Sequence, residues 1–248
     1  MEDWTSHLTR ACALSLFALL TISAAQDSRL YSIQDDIAAA DGRGQFYDRS
    51  YRPVESSFWE RIPEWMEADA GHRKVHRILD VGCGYGTLLS LATMVYGAEG
   101  FCLDVQDYLK PIVAKKYGLH FAKGNIELDP IPWPGQFEVI IMTEVLEHFN
   151  FQPVPTLTKI RNALAPDGRF FLSTPDQLDW GPQHRYYKRL RDLPMPSADV
   201  KIVDDHVWIY SNTELVSATK AAGLIVERFA YSSGTGARHF NVVLRRSP

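Results

Sequence analysis

Three glycines alternate with other residues in Leu79-Asp-Val-Gly-Cys-Gly-Tyr-Gly86, at positions 82, 84 and 86, directly behind the acid Asp80. Without Cβ atoms such a chain turns sharply, and a ligand can approach its backbone N–H groups closely. Asp104 stands eighteen positions past Gly86, at the end of the next apolar run. A carboxylate there can accept hydrogen bonds from ribose hydroxyls. A dinucleotide fingerprint places its third glycine three positions after the second. Here the interval is two, which speaks against a nicotinamide-dependent oxidoreductase. A second constellation is Thr143-Glu-Val-Leu-Glu-His-Phe149. Glu144 and His148 are four apart, so on a helix they share one face. Histidine at that place can act as general base for an acceptor hydroxyl. It can equally pin the loop through a hydrogen bond. HExxH spacing is missing, so no zinc is expected on this pair, and no metal is expected elsewhere.

A third set lies between Asp179 and Ser211: Trp180, His184, Tyr186, Tyr187, His206, Trp208 and Tyr210. Aromatic side chains on a lid can close over an acceptor and exclude water. Arg185, Lys188, Arg189 and Arg191 accompany them, suited either to an anionic substrate group or to a solvated face. Phe46-Tyr47-Asp48 and Tyr51 can form an opposite wall, or simply pack. Cys83, in a crowded turn, and Cys102, in a strand, read as inert buried residues, since no CxxC pairs them.

Positioning these groups requires strands alternating with helices. Strands are expected at Arg77–Val81, Gly100–Asp104, Leu119–Lys123, Phe137–Thr143 and Arg169–Thr174. Helices are expected at Thr87–Tyr96, Gln106–Tyr117 and Thr156–Leu164. That alternation predicts an α/β fold with a mostly parallel sheet covered by helices on both faces. Residues 175–210 break the rhythm and read as a lid insertion. A capped helix, Ser211–Ala222, and two closing strands, Leu224–Tyr231 and His239–Arg245, follow. In front, residues 26–70 form a cap segment with helical pieces near Leu30–Ala40 and Glu55–Ala68, the second interrupted at Pro63, and the main domain spans 71–248.

The chain has 248 residues, 46% of them hydrophobic, and a formal charge of −4, which gives no support to nucleic-acid wrapping. Its three cysteines match neither a disulfide scaffold nor a zinc ribbon. The first 25 residues include the apolar run Ala11–Ile22, about 18 Å as a helix and too short to cross a bilayer. Ser23 and Ala25 suit a signal-peptidase site, yet Glu2 and Asp3 oppose the positive charge a signal needs. Export signal, packing helix or membrane-associating segment, and start-site artefact all stand as readings of 1–25. The expected placement of the main domain is the cytoplasm, or the cytosolic side of a membrane, with export as the alternative.

At these residues the sequence resembles the class I S-adenosylmethionine-dependent methyltransferases. The resemblance runs from about Arg77 to Arg245 and implies a Rossmann-like sheet of seven strands. Its last strand would be antiparallel and inserted beside the fifth. It also implies S-adenosylmethionine as cofactor, released as S-adenosylhomocysteine. Gly82, Cys83, Gly84 and Gly86 would then lie against the methionine and sugar, with Asp80 organising the loop. Asp104 and Val105 would hold the ribose, and Gly124-Asn125-Ile126 the adenine, with Asn125 replacing a more frequent Asp. Thr143 would border the cofactor. Thr143–Phe149 resembles the E-x-L-E-H signature of the branch with quinone-biosynthesis O-methyltransferases and sugar or natural-product enzymes. It implies catalytic roles for His148, Glu144 and, from the Asp205-His206 pair, His206. Tyr47, His184, Tyr186, Tyr187 and Trp208 are the expected contacts to a small-molecule acceptor. O-methylation is the expectation, against N-methylation or a non-catalytic cofactor-binding regulator. The sequence does not indicate oligomeric state.

Overall fold

The structure is a computed structural model and describes residues 28–183, 185–232 and 236–248. The apolar run within residues 1–25, and with it the export, anchor and packing readings, lies outside the described residues, as does His184. No helix among the described residues is long and apolar enough to cross a membrane.

Seven strands form one sheet: β1 (Arg77–Val81), β2 (Glu99–Asp104), β3 (Leu119–Lys123), β4 (Phe137–Thr143), β5 (Leu164–Pro175), β6 (Leu224–Tyr231) and β7 (His239–Arg246). Their order is β3-β2-β1-β4-β5-β7-β6. β7 runs antiparallel to both β5 and β6, and the other pairs are parallel. The expected topology, with an antiparallel strand beside the fifth, is present. β1 and β4 carry near-continuous apolar runs because both their faces are covered. Alternate side chains go to opposite sides of the sheet. Leu79, Val81, Ile140, Met142, Phe170 and Leu172 join one buried cluster. Their neighbours Ile78, Val139, Ile141 and Phe171 join the other.

Helices close both faces. α1 (28–41) and α2 (Ile62–Ala70) belong to the cap segment, and α3 (Thr87–Tyr96) follows the glycine loop. α4 (Pro111–Tyr117), α5 (Pro153–Ala163) and α6 (Asn212–Ala221) complete the layers. α3 buries Leu88, Leu89, Leu91 and Ala92 and stops at Gly97, whose φ of 63° is open to glycine without Cβ strain. α6 starts with a reciprocal capping box: the Ser211 hydroxyl accepts from the Glu214 N–H, and the Glu214 carboxylate from the Ser211 N–H. Such a cap contributes about 1 kcal/mol.

Bounds shift at α5, which spans Pro153–Ala163 and not Thr156–Leu164, and at β5, which begins at Leu164 and not Arg169. Three further elements differ from expectation. The helix placed at Gln106–Tyr117 begins only at Pro111, because Pro fits the first helical turn and Asp104 holds the preceding Gln106 in a loop. The cap helix expected over Glu55–Ala68 with an interruption at Pro63 is in two pieces, Glu55–Phe58 and Ile62–Ala70, but the break falls at 59–61 and Pro63 sits in the second one's first turn. The third difference concerns the insertion. Its last residues, Val207, Trp208, Ile209 and Tyr210, are buried in the domain core. Leu193, earlier in the insertion, joins the same core, with Tyr187, Leu190 and Val203 packed against it.

Candidate active site

The strand order reverses between β1 and β4, and in open α/β sheets the crevice at that switch point, beyond the carboxyl ends of the strands, is the usual ligand site. A cavity of about 380 Å³ lies there. One wall is Val81, Gly82, Gly84, Tyr85, Leu103, Asp104, Val105, Gln106, Tyr108, Gly124 and Ile126. The other is Phe46 and Tyr51 from the cap, Thr143, Glu144, Val145 and His148 after β4, and Asp204 from the insertion.

The first wall is built by backbone. The Gly82 N–H donates to the Leu103 carbonyl over 2.8 Å, drawing the loop onto β2. The Asp104 carboxylate accepts from the Gly84 N–H at one oxygen and from the Gln106 N–H at the other, each at 2.8 Å. Each oxygen keeps a further lone pair for a ligand hydroxyl. Burial raises the Asp104 carboxyl above its ordinary range despite these bonds. Gly82 has φ 74°, and a Cβ there would collide with the Val145 side chain. Gly84 has φ 53°, and a Cβ there would meet nothing within 4 Å. The first glycine therefore serves packing, and the second leaves open room beside the cavity. The space, the backbone cradle and the Asp104 acceptors fit a nucleoside-bearing cofactor.

Other cofactor-side expectations fare differently. Asp80 lies beneath the loop, 2% exposed and outside the cavity lining. Burial and the nearby Asp104 push its carboxyl well up, and one of its oxygens has no partner. Gly86 packs against Leu109, away from the lining. Asn125 is not in the lining either. Its Oδ1 accepts from the Glu127 N–H at 2.9 Å, capping the turn that follows. Cys83 and Cys102 correct the expectation of inert unpaired cysteines: they form a disulfide, with Cα atoms 5.6 Å apart. The loop's bond to β2 brings the two residues together, and no sequence spacing announces that.

The second wall is built by side chains brought from distant segments. Among the described residues, Glu144 is the single non-glycine residue with positive φ, 57°. Such backbone strain persists where surrounding structure holds it, often at functional sites. The segment after it is a 3-10 turn, Leu146–His148, and not an α-helix, yet Glu144 and His148 both face the cavity. His148 Nδ1 lies 3.0 Å from the Asp205 carbonyl. A carbonyl only accepts, so the proton sits on Nδ1 and Nε2 carries the free lone pair. The His206 ring is edge-on to His148 with centroids 4.7 Å apart, and lies outside the lining. Burial lowers the pKa of His206, with His148 adding to the effect.

Buried acids surround this corner. Burial pushes Glu144 up to about 8, against the bond from the Ser173 hydroxyl that favours its charged form. Glu147 is also pushed to about 8, by burial first and then by Glu144, and accepts from the Thr174 hydroxyl at 2.8 Å. Ligand atoms of Glu147, His148 and His206 lie within 4.8 Å of one another, close enough for a cation. A cation there would take the His148 Nε2 lone pair that a general base needs, and we assign no metal.

Of the expected acceptor contacts, Tyr47 is fully buried behind the cavity, where its hydroxyl donates to Glu55 at 2.7 Å. It supports Tyr85, whose ring centroid is 4.7 Å away, while Phe46 and Tyr51 provide the wall. Trp208 is 2% exposed in the core cluster, and its indole N–H reaches toward Glu214, so it is no lid residue. Tyr187 packs on the same cluster, and Tyr186 donates to Asp205 on the surface. Arg185 pairs with Asp205 and Arg189 with Asp192, so neither is held ready for a substrate anion. Sequence reading missed Tyr85, Gln106, Tyr108, Asp204 and His239. The first three flank motif residues and could have been found by proximity. His239 had no such signal.

The model of a methyltransferase domain family matches residues 48–228. The chain belongs to that family. With the sheet order above, it is a class I, S-adenosylmethionine-dependent methyltransferase domain. Among curated relatives, the ubiquinone biosynthesis O-methyltransferase of Xanthomonas campestris pv. campestris (strain B100) is 34% identical over 138 residues, covering 44% of this chain and 55% of that one. The enzyme of the same name from Aeromonas salmonicida is 27% identical over 172 residues, covering 66% and 68%. The chain thus spans little more than half the length of the first of these relatives. Solved methyltransferase structures share the fold. The magnesium protoporphyrin IX methyltransferase from Synechocystis PCC 6803 with bound S-adenosylhomocysteine superposes with TM-score 0.57 at 15% identity, over 88% of this chain and 94% of that one. The 1,6-didemethyltoxoflavin-N1-methyltransferase of Burkholderia thailandensis gives 0.59 at 17%, over 88% and 89%.

Proposed function

We propose that this methyltransferase transfers a methyl group from S-adenosylmethionine to a hydroxyl of a small-molecule acceptor, with His148 as general base. The observation that carries the proposal is the orientation of His148 on the cavity wall: Nδ1 is held by the Asp205 carbonyl and Nε2 is left as a proton acceptor. Gly82, Gly84, Asp104, Val105 and Ile126 are the residues that would hold the cofactor. When bound, it supplies a methyl group on a sulfonium, an activated leaving group. The protein's remaining tasks are to align the acceptor and take up its proton. Phe46 and Tyr51 from the cap and Asp204 from the insertion enclose the acceptor end and exclude water. The likeness to O-methyltransferases along part of the chain supports a hydroxyl acceptor.

The test is transfer of a labelled methyl group from S-adenosylmethionine into fractionated metabolites of the host, followed by mass identification of the product. A methyl ether supports the reading. A methylated nitrogen, or no product across all fractions despite cofactor binding, overturns the O-methylation assignment.

A further inference from the structure

Asn150 is buried two residues past His148, where the chain leaves the 3-10 turn for α5. Its Oδ1 accepts from the Val203 N–H at 2.7 Å. Its Nδ2 donates to the Val203 carbonyl and to the His148 carbonyl, each at 3.0 Å. A carboxamide carries one acceptor and two donors, so it can pair with both polar groups of one residue, as a neighbouring strand would. The backbone of Asn150 is itself held. Its N–H and that of Phe151 donate to the two oxygens of the buried Glu127 carboxylate, both at 3.0 Å. From Val203 the insertion runs through Asp204, which lines the cavity, to Asp205, whose carbonyl meets His148 Nδ1. Beyond it, the Val207 and Trp208 N–H groups donate to the Glu147 carbonyl at 2.8 and 3.1 Å. Gln152 makes a similar clamp elsewhere, its Nε2 donating to the Leu190 and Leu193 carbonyls at 3.1 and 2.9 Å. Neither of the residues it holds lines the cavity.

We propose that Asn150 is a positioning residue for methyl transfer: by binding both polar groups of Val203 it holds the Asp205 carbonyl on His148 Nδ1. That keeps the Nε2 lone pair free at the cavity wall. The inference rests on the reading of His148 as general base. An imidazole without such a partner carries its neutral proton mainly on Nε2, where no lone pair is left to accept another. The tautomer a base needs is therefore imposed by Asp205, and the place of Asp205 by Asn150. The anchor at Val207 holds only the far side of this segment. Without Asn150, residues 203–205 keep one hydrogen bond to the turn among the described residues, the one to the imidazole itself.

Long-range proton–nitrogen NMR correlation of the imidazole rings reads the tautomer directly, without an acceptor. It is recorded on the nitrogen-labelled full chain at about pH 9, where imidazoles are neutral. The His148 signals are assigned by their loss in His148→Gln. In the wild type, Nδ1 should carry the proton and Nε2 none. Asn150→Ala should move the tautomer ratio about fivefold toward the Nε2-protonated form, the weight of one ordinary hydrogen bond. Asn150→Asp keeps an acceptor for the Val203 N–H but loses both donors, and should move the ratio the same way by less. Gln152→Ala removes two bonds of the same kind from the insertion, and should leave His148 as in the wild type. A merely structural role for Asn150 predicts no such difference. An Nε2-protonated wild type, an unchanged ratio in the Asn150 variants, or an equal shift in Gln152→Ala overturns the proposal. If Asn150→Ala shows no cooperative thermal transition, Asn150→Asp decides. Near-normal turnover of His148→Ala overturns the base reading instead, and leaves the tautomer shift standing, so the two failures are told apart.

Discussion

The two walls of the cavity are made in opposite ways. The cofactor wall comes from one stretch of chain, Val81 to Ile126: the end of β1, the glycine loop, the end of β2 and the loops after β2 and β3 supply backbone N–H groups and one carboxylate. The acceptor wall gathers Phe46, Tyr51, Glu144, His148 and Asp204, with His239 behind them, from segments nearly two hundred residues apart. Backbone conformation limits the first wall, and buried titratable side chains dominate the second. Substitutions should therefore act on binding and fold in one wall, and on turnover and pH dependence in the other.

The largest effect should follow His148→Ala. Losing a positioned base costs about 10² to 10⁴ in turnover. S-adenosylhomocysteine affinity should stay unchanged, because His148 stands in the acceptor wall. Near-normal turnover in this variant would move the base elsewhere. Next is Gly82→Ala, whose added methyl meets the Val145 side chain at a φ of 74°. A destabilisation of about 2–4 kcal/mol in denaturant unfolding is expected, from overpacking and left-handed backbone strain together. Gly84→Ala is its counterpart. With nothing within 4 Å of the added atom, the fold should lose only about 1 kcal/mol, while cofactor affinity falls further than stability does. Equal behaviour of the two glycine variants would erase the distinction between packing and cavity glycines.

A pH effect on stability follows from the buried acids behind the acceptor wall. Glu144 and Glu147 bind protons more tightly in the native state, near pH 8, than in the unfolded chain, near 4.5. Their contribution is fully present below pH 4.5 and is lost as pH rises toward and through 8. Thermal midpoints should therefore fall from pH 5 to pH 9, and Glu147→Gln should flatten that slope. A wild-type midpoint that climbs across this range would contradict the burial of these acids. The smallest effect belongs to Arg185→Ala. Its partner Asp205 lies on the surface, so neither midpoint nor turnover should change measurably. Lost turnover with intact cofactor binding would restore this arginine as an acceptor contact.

The same contrast explains what was legible in the sequence. The glycine spacing and Asp104 mark a wall made of consecutive residues, so the motif carried both position and chemistry. All seven strands were legible, because apolar runs between glycines and acids are local signals. Asn125 lies outside the cavity lining, its carboxamide oxygen turned to the Glu127 N–H two residues on. Trp208 was misplaced because an aromatic residue in an aperiodic stretch looks alike whether it covers a ligand or fills a core. The stretch Val207–Tyr210 folds under α6, where Leu215 and Ala218 share its cluster. The Glu144–His239 contact was invisible, since it exists only once β7 enters antiparallel beside β5 and delivers residue 239 to the ligand-facing edge of the sheet.

The central claim is that the backbone-built wall binds an S-adenosyl cofactor through Asp104. Calorimetric titration of S-adenosylhomocysteine into the wild type and Asp104→Asn tests it most directly. The account predicts one-to-one saturable binding to the wild type. It also predicts affinity about ten- to a hundredfold weaker in the variant, the weight of hydrogen bonds to a charged acceptor. Absence of binding to the wild type, or equal affinity in both proteins, would contradict it.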